Sequence, residues 1–408
     1  MNRLRGRLGG GHGLQLAGLV LYTAVVAHLL RLPCRVPGGA VAEQVPALCA
    51  TEVGPAATSG TMSGFFTGGP GGDQHALVGM ISTVVGWLAA RLSALFGADL
   101  DGGGFVRLSV VLLALVWLAT VVVVSGLSGR GRADAVVLAL APVTALVGFT
   151  TWDLWAVLFM VLALLCHERG RPGPAGVLLG LGASVALFPL VVLLAVLLLA
   201  VRHRQFRDAA VVLAGTVVAW LLVNGPFVVA AWERELDRFR GAGERPVEGA
   251  SLWGVWARAG TVPGAAEAGQ HVLLALLLGC AAVLVLTLLT RREPDVVQVA
   301  FLLLAVLVLL GPSYSPVHAL WLAPLVVLGR GHWLEFAAWQ LVEVLWWTTL
   351  VLPEQAWPVL PWAGSAGWDA QDLLAAVRVL FLVWFVVAVA VDVLRGRTAI
   401  RAGASGPE

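Results

Sequence analysis

The chain has 408 residues, of which 59% are hydrophobic and 12% charged, with a formal net charge of +2. So much apolar surface cannot be hidden inside one water-facing body, which excludes a soluble globular enzyme. The low charge density excludes disorder and coiled coil, and the dispersed basic residues, all 26 of them arginine, exclude nucleic acid as a partner.

An all-α polytopic integral membrane protein remains. In chain order, apolar runs that could cross about 30 Å of hydrocarbon fall near 14–32, 105–127, 133–150, 152–167, 174–187 and 188–201. Further runs fall near 208–231, 270–290, 296–311, 315–330, 333–352 and 371–394. The pattern predicts about 12 spans, between roughly 10 and 13, in one transmembrane domain over 1–408. Several runs are short, as in helices that stop at a water-filled cavity or pair as half-helices.

Arginine clusters set the expected orientation. Arg3, Arg5 and Arg7, Arg130 and Arg132, Arg169 and Arg171, and Arg202, Arg204 and Arg207 are assigned to the cytoplasm. So are Arg291 and Arg292, Arg330, and Arg395, Arg397 and Arg401. Both termini are then cytoplasmic in a multi-pass plasma-membrane protein. The apolar segment 76–97, which carries Arg91, is expected not to cross; the alternative is that it crosses and a shorter run does not. The first run lacks a cleavage-like A-x-A site and reads as a retained anchor. Loops 33–75, 98–104, 232–269 and 353–370 are left outside.

Two of the four cysteines, Cys34 and Cys49, share the first outer loop. They form either a disulfide, which would pin the loop and contribute about 3 kcal/mol, or two unpaired thiols. Cys166 and Cys280 read as packing residues. No Cys/His spacing suggests a metal or a haem, so no cofactor is expected.

Glu52 follows in LCATEVG. A carboxylate held at the membrane surface can take a proton from a sugar hydroxyl; it can also be a solvated loop acid. Asp153, in GFTTWDLWAV, is costly at membrane depth unless it faces water or a partner. It can cap the helix beginning near Leu154 as well, with Trp152 and Trp155 at the interface.

The loop 232–269 interleaves Arg234, Arg238, Arg240 and Arg245 with Glu233, Glu235, Asp237, Glu244 and Glu248. It reads either as a phosphate grip or as a self-neutralised surface helix. Trp253 and Trp256 could stack on a sugar. In GPSYSPVHALWLAP, Pro312 and Pro316 break the helix around Tyr314, which suggests a cavity lining; His318 reads as a ligand contact or as packing. Glu335, Trp339, Gln340 and Glu343 form a buried polar stripe, expected on the cytoplasmic half of its helix, as inter-helix glue or part of a translocation path.

These pieces together resemble actinobacterial polyprenyl-phosphate-mannose-dependent glycosyltransferases of family 87, in the GT-C superfamily. The resemblance rests on LPCR (32–35) with LCATEV, TTWDLWAV, GVLLGLGASVALFPLVVL, NGPF, GASLW, SYSPVHALWLAP and WQLVEVLWW, in that order. It implies an extracytoplasmic, inverting transfer of a sugar, mannose foremost. The donor would be a polyprenyl-phosphate sugar, and the acceptor a glycolipid or envelope glycan. Carried over by position, Glu52 becomes the general base and Asp153 its catalytic companion. Arg245 and Glu248 contact donor or acceptor, with Ser251, Trp253, Tyr314 and His318 as further substrate-binding residues.

The chain departs from the family at Leu187 and Phe188, where the family has Lys and Tyr before the proline. Gln74 and His75 replace a Tyr-Pro, and Val317 and His318 replace a Gln-Tyr. A phosphate leaving group needs a preorganised cation or donor, and without lysine an arginine must serve. The alternatives are a degenerate member that binds a lipid-linked sugar without turnover, as a scaffold or binding subunit, and a transporter or flippase.

Overall fold

The computed structural model describes residues 10–35, 46–53, 75–96, 103–230, 232–233, 247–258, 265–352, 356–357 and 368–397. Fifteen α-helices occupy them. The first eight are α1 (Gly10–Leu30), α2 (Pro46–Cys49), α3 (Ala76–Phe96), α4 (Gly103–Leu127), α5 (Arg132–Ala139), α6 (Leu154–Glu168), α7 (Pro172–Ala183) and α8 (Leu190–His203). The remainder are α9 (Phe206–Ala230), α10 (Leu252–Arg258), α11 (Ala265–Leu289), α12 (Val296–Leu310), α13 (Pro316–Gly329), α14 (Trp333–Val351) and α15 (Ala370–Arg395). Among the described residues there is no strand. Among the described residues, six helices are long and apolar enough to cross a bilayer: α1, α3, α4, α9, α11 and α15. Five shorter apolar ones stand beside them: α6, α7, α8, α12 and α13. The protein is an all-α polytopic membrane protein.

One expected span is corrected, and a second segment bears on the count. Segment 76–97, expected not to cross with crossing as the alternative, carries in α3 a continuous apolar stretch, Ala76–Leu95, of 20 residues. At 1.5 Å per residue that is about 30 Å, a membrane thickness. Arg91 does not disqualify it, because the guanidinium lies over the Trp87 ring, 5.5 Å from its centroid, near the helix end. Segment 133–150 is no single helix. It stops at Ala139 after eight residues, turns before Pro142, and continues as a π turn over Thr144–Gly148. Proline supplies no N–H to extend the ladder.

The described chain divides into two compact units. The first comprises 1–24, 51–126 and 148–242. Here α7 lies against both α6 and α9, closest to α9. Glycine makes that approach possible: Thr216 donates its hydroxyl to the Gly176 carbonyl at 3.1 Å. A Cβ on Gly180 would run into the Thr216 carbonyl and stand 2.8 Å from the Ala219 Cβ. Small residues let backbones touch where lipid offers no hydrophobic drive between helices. Gly180→Leu should therefore lower stability by about 3 kcal/mol, read as a fall in the thermal midpoint in detergent. Gly225→Leu on α9, where an added Cβ meets nothing within 4 Å, should leave the midpoint unchanged.

At the far end of α7, Ser184 gathers three elements. It accepts from Asn224 Nδ2 at 2.7 Å, and its carbonyl accepts from the Leu77 amide at 3.2 Å. The α6–α7 hairpin brings the start of α6 to this same end, as Gly182 beside Phe159 shows. The opposite end carries Arg169 and Arg171 in one turn and Arg202, Arg204 and Arg207 in the next.

The second unit comprises 25–50, 127–147 and 243–408. Cys34 and Cys49 are disulfide-bonded, with Cα atoms 5.5 Å apart, and pack with Leu48, Leu146 and Trp347. Arg31 donates to the carbonyls of Ala145 (3.2 Å) and Leu146, satisfying acceptors that the π turn leaves over. Helices α12 to α15 run alternately up and down. One end is bound by Arg330, which reaches Glu335 at 3.0 Å and Asp392 at 2.6 Å. There Gln298 Nε2 donates to the Arg397 carbonyl at 2.8 Å, and Gly396 stands against Arg292. Arginine thus collects at one end of each unit.

Candidate functional site

The arginine-poor end of the first unit presents Glu52 and Asp153. The turn Thr150–Asp153 precedes α6. The Glu52 amide donates to the Thr150 carbonyl at 2.9 Å, and Thr51 Oγ1 reaches the same carbonyl at 3.4 Å. Thr151 is the pivot. Its hydroxyl donates to Glu52 Oε2 at 2.9 Å and accepts from the Asp153 amide at 3.3 Å. Two acids, about a hundred positions apart in sequence, are thus keyed to one threonine. Thr151 is buried and Asp153 half-buried, while Glu52 is exposed. The Glu52 carboxylate is therefore held on one oxygen and open on its other side. That arrangement suits a base that must meet an incoming hydroxyl.

Asp153 occupies the N-cap position of α6, but its side chain makes no capping hydrogen bond there. The expected cap is absent because the residue already has helical torsions, φ −62° and ψ −19°, whereas a capping side chain needs an extended backbone. Trp152, expected at an interface, is 1% exposed and meets Phe105 edge-on at 6.5 Å. It is a core residue that fixes the turn from behind.

In the second unit the other candidates lie at the arginine-poor end of α12 to α15. The Glu248 amide donates to the Pro312 carbonyl at 2.9 Å. Ser251 is buried and donates to the Glu248 carbonyl at 2.7 Å, then accepts from the Gly254 amide at 3.0 Å. Trp253 Nε1 donates to the Leu310 carbonyl at 2.9 Å, and its ring lies 5.8 Å from that of Trp256. Both Ser251 and Trp253 thus spend their polar atoms on shaping the loop, while the Glu248 side chain is exposed. Arg245, with Arg234, Arg238 and Arg240, lies outside the described residues, as does Gln74.

Tyr314 is 1% exposed. Its hydroxyl donates to Glu343 Oε1 at 2.9 Å. His318 accepts the Ser315 amide on Nδ1 at 2.9 Å, which leaves Nε2 as the ring's N–H donor while the imidazole is neutral. Its ring stands edge-on to Trp321 at 4.5 Å. Of the late-motif pair, His318 alone keeps a polar atom to offer.

The polar stripe on α14 divides. Glu335 belongs to the arginine-rich end with Arg330. Gln340 accepts the Val143 amide at 3.0 Å. Glu343, expected on the cytoplasmic half, instead joins Tyr314 and Arg378 toward the other end, fully buried. Arg378 was not anticipated. The available signal was a single arginine inside the apolar run 371–394, which demands a partner. Thr151 was equally missed, being one unremarkable hydroxyl in TTWD. Among the described residues, no group of three or more His, Cys, Asp or Glu is placed to hold a metal ion.

The family profile of glycosyltransferase family 87 matches residues 84–312, more than half of the chain. The chain belongs to glycosyltransferase family 87. The matched stretch takes in Asp153, Glu248, Ser251 and Trp253. Glu52 precedes it, and Tyr314, His318, Glu343 and Arg378 follow it. As a family 87 member the protein has a glycosyl donor and an acceptor for substrates, and the acids keyed to Thr151 are candidate parts of that chemistry. No curated protein and no solved structure matches the chain.

Proposed function

We propose that this glycosyltransferase works on the extracytoplasmic face, as a GT-C-type enzyme moving a hexosyl group, mannosyl foremost, from a polyprenyl-phosphate sugar to a glycolipid or envelope glycan. The observation that carries the reading is the hydroxyl of Thr151 shared between the Glu52 carboxylate and the Asp153 amide. The acceptor hydroxyl oxygen attacks the anomeric carbon, and the bond from that carbon to the phosphate oxygen breaks. Polyprenyl phosphate leaves with the electron pair, and Glu52 takes the acceptor proton. Asp153 stands beside the reacting groups. Glu248 and His318 bind substrate hydroxyls or the phosphate, with Arg245 as a cation from the late loop.

The segregation of arginine supports the orientation, since basic residues mark the cytoplasmic side. Arg169, Arg171, Arg202, Arg204 and Arg207 lie at one end of the first unit; Arg291, Arg292, Arg330, Arg395 and Arg397 lie at one end of the second. Both arginine ends are then cytoplasmic, and the candidate residues stand outside.

The test is the full chain in lipid nanodiscs, supplied with a polyprenyl-phosphate sugar radiolabelled in the sugar and an envelope lipid extract. Label moving into a glycolipid fraction supports the reading; label that stays with the donor overturns it. One observation favours a second reading, a member that binds without turnover. Leu187 is 50% exposed where the family carries lysine, so that position supplies no charge to the leaving phosphate. Donor bound but never consumed would select it.

A further inference from the structure

The break between α12 and α13 leaves backbone carbonyls with no helical partner. In the second unit these are answered from two directions. The Leu310 and Pro312 carbonyls receive Trp253 Nε1 and the Glu248 amide, both from the late loop. The Tyr314 carbonyl receives Arg378 Nη1 at 3.0 Å. Arg378 is fully buried, as is Glu343. Its Nε donates to Glu343 Oε2 at 3.0 Å. Nη2 lies 2.9 Å from the same oxygen, near enough for attraction though not aligned for a hydrogen bond. Glu343 Oε1 takes the Tyr314 hydroxyl and Trp339 Nε1 at 3.1 Å.

The guanidinium is also stacked on two sides. Its carbon stands 4.1 Å from the Tyr314 ring centroid and 4.0 Å from that of Trp346. Trp346 in turn packs on Ala250 and Ala375 in one buried cluster, with Val255 against it. Arg258 of α10 reaches Asp372, one turn and a half before Arg378, at 3.4 Å. The late loop therefore rests on the ion pair by two routes. One runs through Tyr314 and the Pro312 carbonyl, the other through Trp346 and Ala250.

A buried ion pair seldom adds stability over a well-packed apolar pair, and its best-attested use is to fix a register. We infer that Arg378 and Glu343 are positioning residues: their buried pair sets the place of the late loop from Glu248 to Trp253. The pair touches no substrate. Its value to catalysis rests on the reading that this loop belongs to the transfer site, but the mechanical claim does not.

The experiment is hydrogen exchange on the full chain in nanodiscs, resolved over 247–258 and over α12. The double variant Glu343→Leu with Arg378→Met removes both charges at similar volume, so the helices should still pack. Exchange of the Glu248 amide should rise about tenfold as its hold on Pro312 loosens, with α12 unchanged. Arg378→Lys keeps the charge but loses the fork and the ring stacking. It should give a smaller rise and serves if the double variant does not fold. Wild-type exchange over 247–258 in either folded variant overturns the proposal. Where transfer is measurable, KM for the donor should rise severalfold with kcat less affected. A chain that loosens the loop yet never transfers sugar would sink the enzymatic reading and leave this one standing.

Discussion

Glu52→Gln should reduce transfer from a polyprenyl-phosphate sugar by about 10²–10⁴-fold, the usual worth of a positioned general base, with expression and thermal midpoint unchanged. Glutamine keeps the side-chain length and still offers Thr151 an oxygen to donate to. The turn Thr150–Asp153 should therefore survive, because its main anchor is the Glu52 amide on the Thr150 carbonyl at 2.9 Å. What is lost is the capacity to take a proton. Glu52 is exposed, so the substitution buries no uncompensated group. A drop in stability would mean that the residue is structural, and full turnover would remove the base assignment. Thr151→Val gives the graded companion: the shape stays, but the hydroxyl that holds Glu52 Oε2 at 2.9 Å goes. Roughly tenfold slower transfer is expected, as for a catalytic group that is present but poorly oriented.

The ease with which Asp153 stands out in the sequence as a candidate, against the difficulty with Thr151, has a physical basis. An acid beside tryptophans in an apolar chain is conspicuous, because its transfer cost must be offset by something. A threonine costs little in any setting and carries no such signal. Its role emerges only when residues 52 and 151 are brought together in space. The spans follow the same rule. Length and hydropathy marked most helices, since lipid forces every backbone group to be satisfied within its own segment. At α3, length and charge point different ways. The distribution of arginine clusters argues against crossing, while the apolar length allows it, since a long side chain near a helix end can reach past the apolar layer with its stem on Trp87. The break at Pro142 was legible as a residue but was overridden by the apolar run around it.

Sequence reading also grouped Glu335 and Glu343 as one stripe, because they share a helix face at i and i+8. Their partners separate them: Glu335 answers Arg330 and Glu343 answers Arg378. Periodicity identifies a face, while the function of a buried charge is decided by the element that comes to meet it.

Glu343→Ala carries the largest expected cost in stability, about 3–5 kcal/mol. Arg378 is fully buried, and its guanidinium has no water to turn to. With Glu343 gone, the Tyr314 carbonyl and two aromatic faces remain as its partners. None of them carries a full negative charge. Trp339 Nε1 and the Tyr314 hydroxyl lose their shared acceptor in the same change, which adds unsatisfied buried donors. Arg378→Met alone should cost about as much, because it strands the carboxylate instead. The two losses should not add: with both residues replaced by apolar ones, most of the stability should return, since the desolvation cost of each charge disappears with the charge. Thermal midpoints of the two single variants and the double variant in one detergent give the coupling directly. Additive losses would mean that the two side chains are held by separate surroundings, and that their 2.9 Å approach contributes nothing of its own.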